Sequence, residues 1–205
     1  RKIGPNWVNG IGDCKPGEGY LVKMINNDEL IYPSSFTCGD PFTDLRDGQT
    51  YNTVLIGEQC WMAENINIGE MLLGSSGQTN NGVIEKYCYD NDTTNCDEYG
   101  GIYNWNEAMQ YTTTSGEQGV CPDGWHIPTD HEWKILEGTA DSQYPVGDPI
   151  WDDTGMRGFD AGLNLKTTYG WDNKGNGTDN FEFSALPAGF YGAPGDFFSL
   201  GEHTA

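Results

Sequence analysis

Cys121-Pro122-Asp123-Gly124-Trp125-His126-Ile127-Pro128-Thr129-Asp130-His131-Glu132-Trp133 puts a cysteine, a tight turn, two tryptophans, two histidines and a helix start into one short stretch. Pro122-Asp123-Gly124 has turn chemistry, because proline presets φ and glycine accepts positive φ. Thr129 reads as a helix N-cap. Glu132, three residues on, can reach back to the Thr129 backbone N–H and complete a capping box. Asp130 in the first turn suits the helix dipole. The pattern predicts a helix over residues 130–137, stopped at Gly138. Trp133, Leu136 and Ile135 form its expected buried stripe, with Glu132, Lys134 and Glu137 facing out. Two tryptophans flanking one helix start bury a large area in a small volume. The stretch is therefore expected to be a packing nucleus, with His126 a hydrogen-bonded core histidine rather than a base.

Composition narrows the function classes. Against 10 basic residues stand 31 acidic ones, a net charge of -21. That balance repels nucleic-acid phosphates and excludes nucleic acid as a partner. It suits a solvated secreted surface or calcium sites, since hard cations take oxygen ligands. No apolar run reaches the length of a membrane span. The chain opens at Arg1-Lys2 with no visible signal peptide, which is expected of a mature or trimmed fragment. Glycine, asparagine and aspartate recur every few residues, the profile of short strands joined by many turns. Six cysteines suggest an oxidising compartment. No Cys-x-x-Cys occurs and the histidines lack ligand spacing, which argues against zinc.

Residues 1–37 read as a small β-rich unit. Trp7-Val8, Tyr20-Leu21-Val22-Lys23-Met24 and Leu30-Ile31-Tyr32 are its expected strands, and it is too short to bury a core alone. From residue 38 a larger domain begins. Asp47-Gly48-Gln49 is an expected hairpin turn. Residues 51–56 and 59–63 form a second hairpin about Gly57-Glu58. Residues 71–86 are polar and read as an exposed loop. Cys88 and Cys96 close a small loop, where a disulfide is expected. Asp90, Asn91 and Asp92 in that loop are candidate calcium ligands, the alternative being a solvated, stapled turn. A helix is expected over residues 105–111, with Trp105, Ala108 and Met109 inward. Residues 139–180 are irregular. They hold a second oxygen-rich cluster, in which Asp172, Asn173 and Asp179 are candidate metal ligands. Residues 181–191 read as a strand broken by Pro187, hence at an edge or bulged. Asn91-Asp92-Thr93 and Asn176-Gly177-Thr178 match the N-glycosylation pattern, with Asn91 and Asn176 as acceptors.

Three segments carry a family likeness. They are Asp47-Gly48-Gln49-Thr50-Tyr51 through Gln59-Cys60-Trp61-Met62-Ala63-Glu64-Asn65, then Tyr87-Cys88-Tyr89-Asp90-Asn91-Asp92 through Trp105, and the stretch from Cys121 to Trp133. With Phe183-Ser184-Ala185-Leu186-Pro187-Ala188-Gly189 they resemble the Fibrobacter succinogenes major paralogous domain, over residues 38–205. Residues 1–37 are similar to a short segment of large secreted Bacteroidetes-type proteins. The Asp92-Thr93-Thr94 triplet resembles an O-glycosylation motif of those bacteria, which makes Thr93 a candidate. The resemblance implies an α+β, C-type-lectin-like domain similar also to formylglycine-generating enzymes. In such a fold two short helices flank a twisted, mainly antiparallel sheet with long loops. It also implies a Cys38–Cys60 disulfide and further strands beyond residue 205. One of those strands would carry the partner of Cys121. Cys14 is left over, either paired with Cys121 or free.

An enzyme needs a constellation, and none emerges. His126 and His131 have only their sequence neighbours for company, and no serine sits in a nucleophile-elbow pattern. The expected function is a non-catalytic structural or adhesive module of a larger secreted or cell-surface assembly, with other protein chains as partners. The alternative is a calcium-dependent lectin-like domain that binds carbohydrate or protein. Tyr169 and Trp171 are its candidate stacking residues.

Overall fold

Short turns dominate this chain, and they set its architecture. The computed structural model describes residues 36–172, 174–192 and 195–202. All but Phe36 of these belong to one compact unit, Thr37–Ala205. The expected strands within residues 1–35, and Cys14, lie outside the described residues.

Strand β1 (Phe42–Thr43) pairs antiparallel with β2 (Thr50–Tyr51). The Asp47-Gly48 turn joins them as expected, with Gly48 at φ 78. Asp44 is buried inside this turn and takes the Arg46 guanidinium, whose Nη2 also donates to the Val120 carbonyl at 2.8 Å. Strand β3 (Thr53–Ile56) pairs antiparallel with β4 (Gln59–Met62) around Gly57-Glu58. In that register Ile56 and Trp61 both reach the core. Residues 71–86 depart from the expected exposed loop, because their two ends pair as parallel strands, β5 (Glu70–Leu72) and β6 (Glu85–Tyr87). The Gln78 amide donates to the Glu85 and Ile102 carbonyls. The buried Glu85 carboxylate accepts from Thr79 N and Asn81 Nδ2. These bonds pin the loop between the strands and were invisible to hydropathy. Strands β7 (Ala188–Gly192) and β8 (Asp196–Leu200) form an antiparallel hairpin. Strand β7 begins right after Pro187, the position of the expected break, while residues 181–187 are not strand.

The result is a mixed α+β fold, with few helices and small sheets. The described residues contain four separate two-stranded pairs rather than the single twisted sheet expected. Among the described residues there are four short α-helices rather than two: α1 (Thr93–Tyr99), α2 (Trp105–Ala108), α3 (Asp130–Ala140) and α4 (Ala161–Leu165).

Helix α3 starts on the expected capping box. Glu132 N donates to Thr129 Oγ1, and Glu132 Oε2 accepts from Thr129 N at 2.8 Å. It does not stop at Gly138. That residue is buried in the helix, where a Cβ would lie 2.7 Å from the backbone of Val146. The glycine therefore permits close approach of the next loop and is not a terminator. Helix α2 is shorter than expected, because Gln110 and Tyr111 turn left-handed at φ 48 and 61. Met109 is buried as expected, but Trp105 faces solvent.

The core joins Ile56, Trp61, Leu136, Ala140, Trp151, Ala161 and Leu165. Trp133, expected in the buried stripe, is 40 % exposed. It caps the core rather than filling it, with its ring 5.0 Å from that of Trp61. The large buried anchor is Trp151, 2 % exposed, whose indole N–H donates to the Pro145 carbonyl. Truncating so large a core residue costs about 3–5 kcal/mol.

Candidate functional site

A groove of about 460 Å³ lies beside hairpin β3–β4. Its walls bring together residues far apart in sequence, including Asn52, Glu64, Glu98, Tyr169, Glu182 and Ser184. Local hydrogen bonds hold most of its polar groups. Glu64 accepts from both the backbone and the side-chain amide of Asn52. Thr53 Oγ1, deeper in the groove, donates to the Asp40 carbonyl at 2.8 Å and accepts from Gly39 N at 2.9 Å. The Ser184 hydroxyl and backbone N–H both donate to Asp179, each at 2.8 Å. Three non-glycine residues here, Asp179, Glu182 and Ser184, adopt left-handed φ, and the Asp179–Ser184 clamp fixes that bend. The Tyr169 ring stands 62 % exposed in this setting.

The structure separates the two expected stacking residues. Tyr169 lines the groove. Trp171 is half-buried, and its indole N–H donates to Thr167 Oγ1 at 3.0 Å and to the Ala185 carbonyl at 3.3 Å. Lys166 Nζ sits 4.6 Å from its ring centre. Trp171 is thus a packing residue, and Tyr169 is the accessible one.

Two of the expected cysteine pairings are present. Cys38–Cys60 and Cys88–Cys96 are disulfides. Cys121 is a buried free thiol, and burial pushes its pKa up to about 11 against the opposing pull of Arg46.

A family model described as the Fibrobacter succinogenes major domain matches residues 54–205. The chain belongs to this family. No curated protein and no solved structure matches it. The matched span opens inside β3, so the Cys38–Cys60 disulfide ties the segment ahead of the span to its first hairpin.

Within this Fibrobacter succinogenes major domain, Asn91 and Asp92, two of the expected calcium ligands, bond to the backbone. Asp92 caps α1, and its carboxylate accepts from Thr94 N at 2.9 Å and Thr94 Oγ1 at 2.8 Å. Those two bonds hold its pKa below the usual value. Asn91 Oδ1 accepts from Gly74 N at 2.6 Å, and Asp90 and Asn91 both take left-handed φ. In the second cluster Asn176 Oδ1 accepts from Trp171 N, and Asp179 holds Ser184. The Asp172 backbone N–H donates to the Gly201 carbonyl. Asn173 lies outside the described residues. Among the described residues no group of three or more His, Cys, Asp or Glu side chains is placed to hold a metal ion. Asn91, Thr93 and Asn176 are all exposed.

His126 is not in the core. Its side chain is 45 % exposed, with Nε2 2.8 Å from Glu132 Oε1. His131 lies exposed on α3. Sequence reasoning missed Glu64, Glu98 and Glu182 as neighbours of Tyr169. Nothing distinguishes them from the other acids in so acidic a chain until folding brings them to one groove.

Proposed function

We propose that this domain is a non-catalytic, lectin-like adhesive or structural module of a larger secreted or cell-surface assembly, and that it makes contact through the Tyr169 groove. One observation carries the reading. Polar groups lining the groove are tied to neighbouring groups, as Glu64 is to Asn52 and Ser184 to Asp179, while the Tyr169 ring is left open. That arrangement suits recognition more than bond-breaking, because a reacting group must be free to meet its substrate. The two disulfides, and the lack of any helix among the described residues long and apolar enough to cross a membrane, are consistent with an extracytoplasmic location.

A second reading is calcium-dependent binding of carbohydrate or protein. Glu64, Glu98 and Glu182 line the same groove but do not form a metal-holding group as they stand, so this reading needs calcium to draw them together with further oxygen ligands. Binding to arrayed glycans and extracellular-matrix proteins, with calcium or with chelator, separates the two. The first reading expects retention on the matrix proteins that Tyr169→Ala abolishes and chelator leaves unchanged. Retention lost in chelator supports the second. Turnover of any arrayed glycan or protein would overturn both.

A further inference from the structure

A second concave site lies at α2, and its lining shares no residue with the Tyr169 groove. Trp105, its first residue, is 67 % exposed. Among the described residues its ring stacks on no other aromatic ring and its indole N–H has no partner. Exposing so large an apolar face to water forfeits the stabilisation that burial gives. The indole instead forms one wall of a pocket of about 100 Å³. Met109, Ile127 and Pro128 supply its apolar lining, and residues 112–116, a run of three threonines, a serine and a glycine, form the lip.

The lip is held in place at a conformational cost. Gln110 and Tyr111, which lead into it, are consecutive non-glycine residues at left-handed φ, 48 and 61. Each such residue costs about 1 kcal/mol or more and persists only where its surroundings impose it. Here the fully buried Glu107 imposes it. Its carboxylate accepts from Tyr111 OH at 2.9 Å, Gln110 Nε2 at 3.2 Å and Glu85 N at 3.0 Å. The pocket is therefore preformed, which lowers the cost of ligand binding.

Its chemistry selects a ligand class. The chain carries a net charge of -21, yet no ionisable side chain lines this pocket. That disfavours an ionic ligand. The hydroxyls of Thr113, Thr114 and Ser115 are exposed and make no hydrogen bond within the described residues. A purely apolar ligand, or a proline ring, would leave those hydroxyls unmatched. We propose that the pocket is a saccharide subsite, in which the Trp105 indole stacks on the apolar face of one neutral sugar ring while the lip hydroxyls and the indole N–H bond its hydroxyl groups. The small volume admits one ring, so a terminal or branching unit of a glycan fits, with the remainder of the glycan in solvent.

The test is an array of neutral and acidic glycans together with a proline-rich decapeptide, probed with the whole chain. The expected result is retention of neutral glycans. Trp105→Ala weakens their binding by about tenfold or more, Trp105→Phe weakens it less, and Tyr169→Ala leaves it unchanged. Thr113→Val combined with Thr114→Val lowers affinity at an unaltered thermal midpoint. Because Trp105 is exposed, its variants fold, and near-ultraviolet circular dichroism checks this. The inference is overturned if no neutral glycan is retained, if Trp105→Ala binds as the parent does, or if only the decapeptide or acidic glycans bind. Loss of binding in Tyr169→Ala alone would place the ligand in the other groove and likewise refute it.

Discussion

The Glu132 carboxylate is shared between a helix cap and a histidine: Oε1 lies 2.8 Å from His126 Nε2, and Oε2 accepts from the Thr129 backbone and hydroxyl. Burial acts to raise the Glu132 pKa, but the bonds from Thr129 and His126 outweigh it and hold the group below its ordinary 4.5. A depressed folded-state value means stabilisation that is complete above the ordinary value and lost as pH falls through the folded one. Urea midpoints should therefore fall on acidification below about pH 4.5, and Glu132→Gln should flatten that slope. Glu132→Ala should cost about 1 kcal/mol at neutral pH, the usual scale for a lost cap. An unchanged acid slope in Glu132→Gln would rule this carboxylate out as the titrating group.

Asp141 should be the more acid-resistant group. Burial works to raise its pKa, yet backbone N–H groups of Tyr144, Phe159, Gln143 and Asp160 together bring it down to about 2. Its stabilisation is present above pH 3.8 and disappears only as pH approaches 2. Asp141→Ala leaves these donors without their acceptor and should destabilise by about 2 kcal/mol. Denaturant melts of the two proteins check this, and a difference within error would mean that water replaces the carboxylate.

Gly138→Ala runs against helix propensity. Alanine normally stabilises a helix interior by about 1 kcal/mol over glycine. Here the added Cβ would meet Val146 N and Cα at 2.7 Å and Pro145 C at 3.0 Å, all backbone atoms. The substitution should therefore destabilise by about 1–3 kcal/mol, as overpacking does. A raised thermal midpoint would show that the loop at residue 146 yields freely.

Cys121 should be inert in the folded protein. Its thiol is buried and its pKa is raised to about 11, so almost no thiolate is present at pH 8. In a Cys14→Ser background, aromatic disulfide reagents should titrate no thiol until denaturant is added, and then one. Rapid labelling of the native protein would contradict the burial.

The elements that were legible in the sequence are those whose cause is local. The Thr129–Glu132 cap, the Asp47-Gly48 and Gly57-Glu58 turns and the Cys88–Cys96 pairing each need only a few neighbouring residues. The failures share an opposite origin. Strands β5 and β6 pair in parallel across an intervening loop, and their polar sequences look like solvent-facing chain. Gly138 carries the usual mark of a helix end, but the reason for it is Val146, which no local pattern reveals. Trp105 and Trp133 were expected inside because tryptophan is apolar, whereas this small core is closed by Trp151 and places both at or near the surface. The groove was half-legible. Tyr169 could be named, but not its separation from Trp171 nor the glutamates beside it.

Four separate two-stranded pairs among the described residues, in place of one continuous sheet, have a practical consequence. Lengthening one ribbon's connection does not shift the register of another, and each doubling of a loop's length costs only about 0.6 kcal/mol of closure entropy. The turn at Gly48, where an added Cβ would touch nothing, is therefore a natural point for inserting foreign peptide. The domain is suited to serve as a display chassis, able to carry variable segments on an unvarying frame.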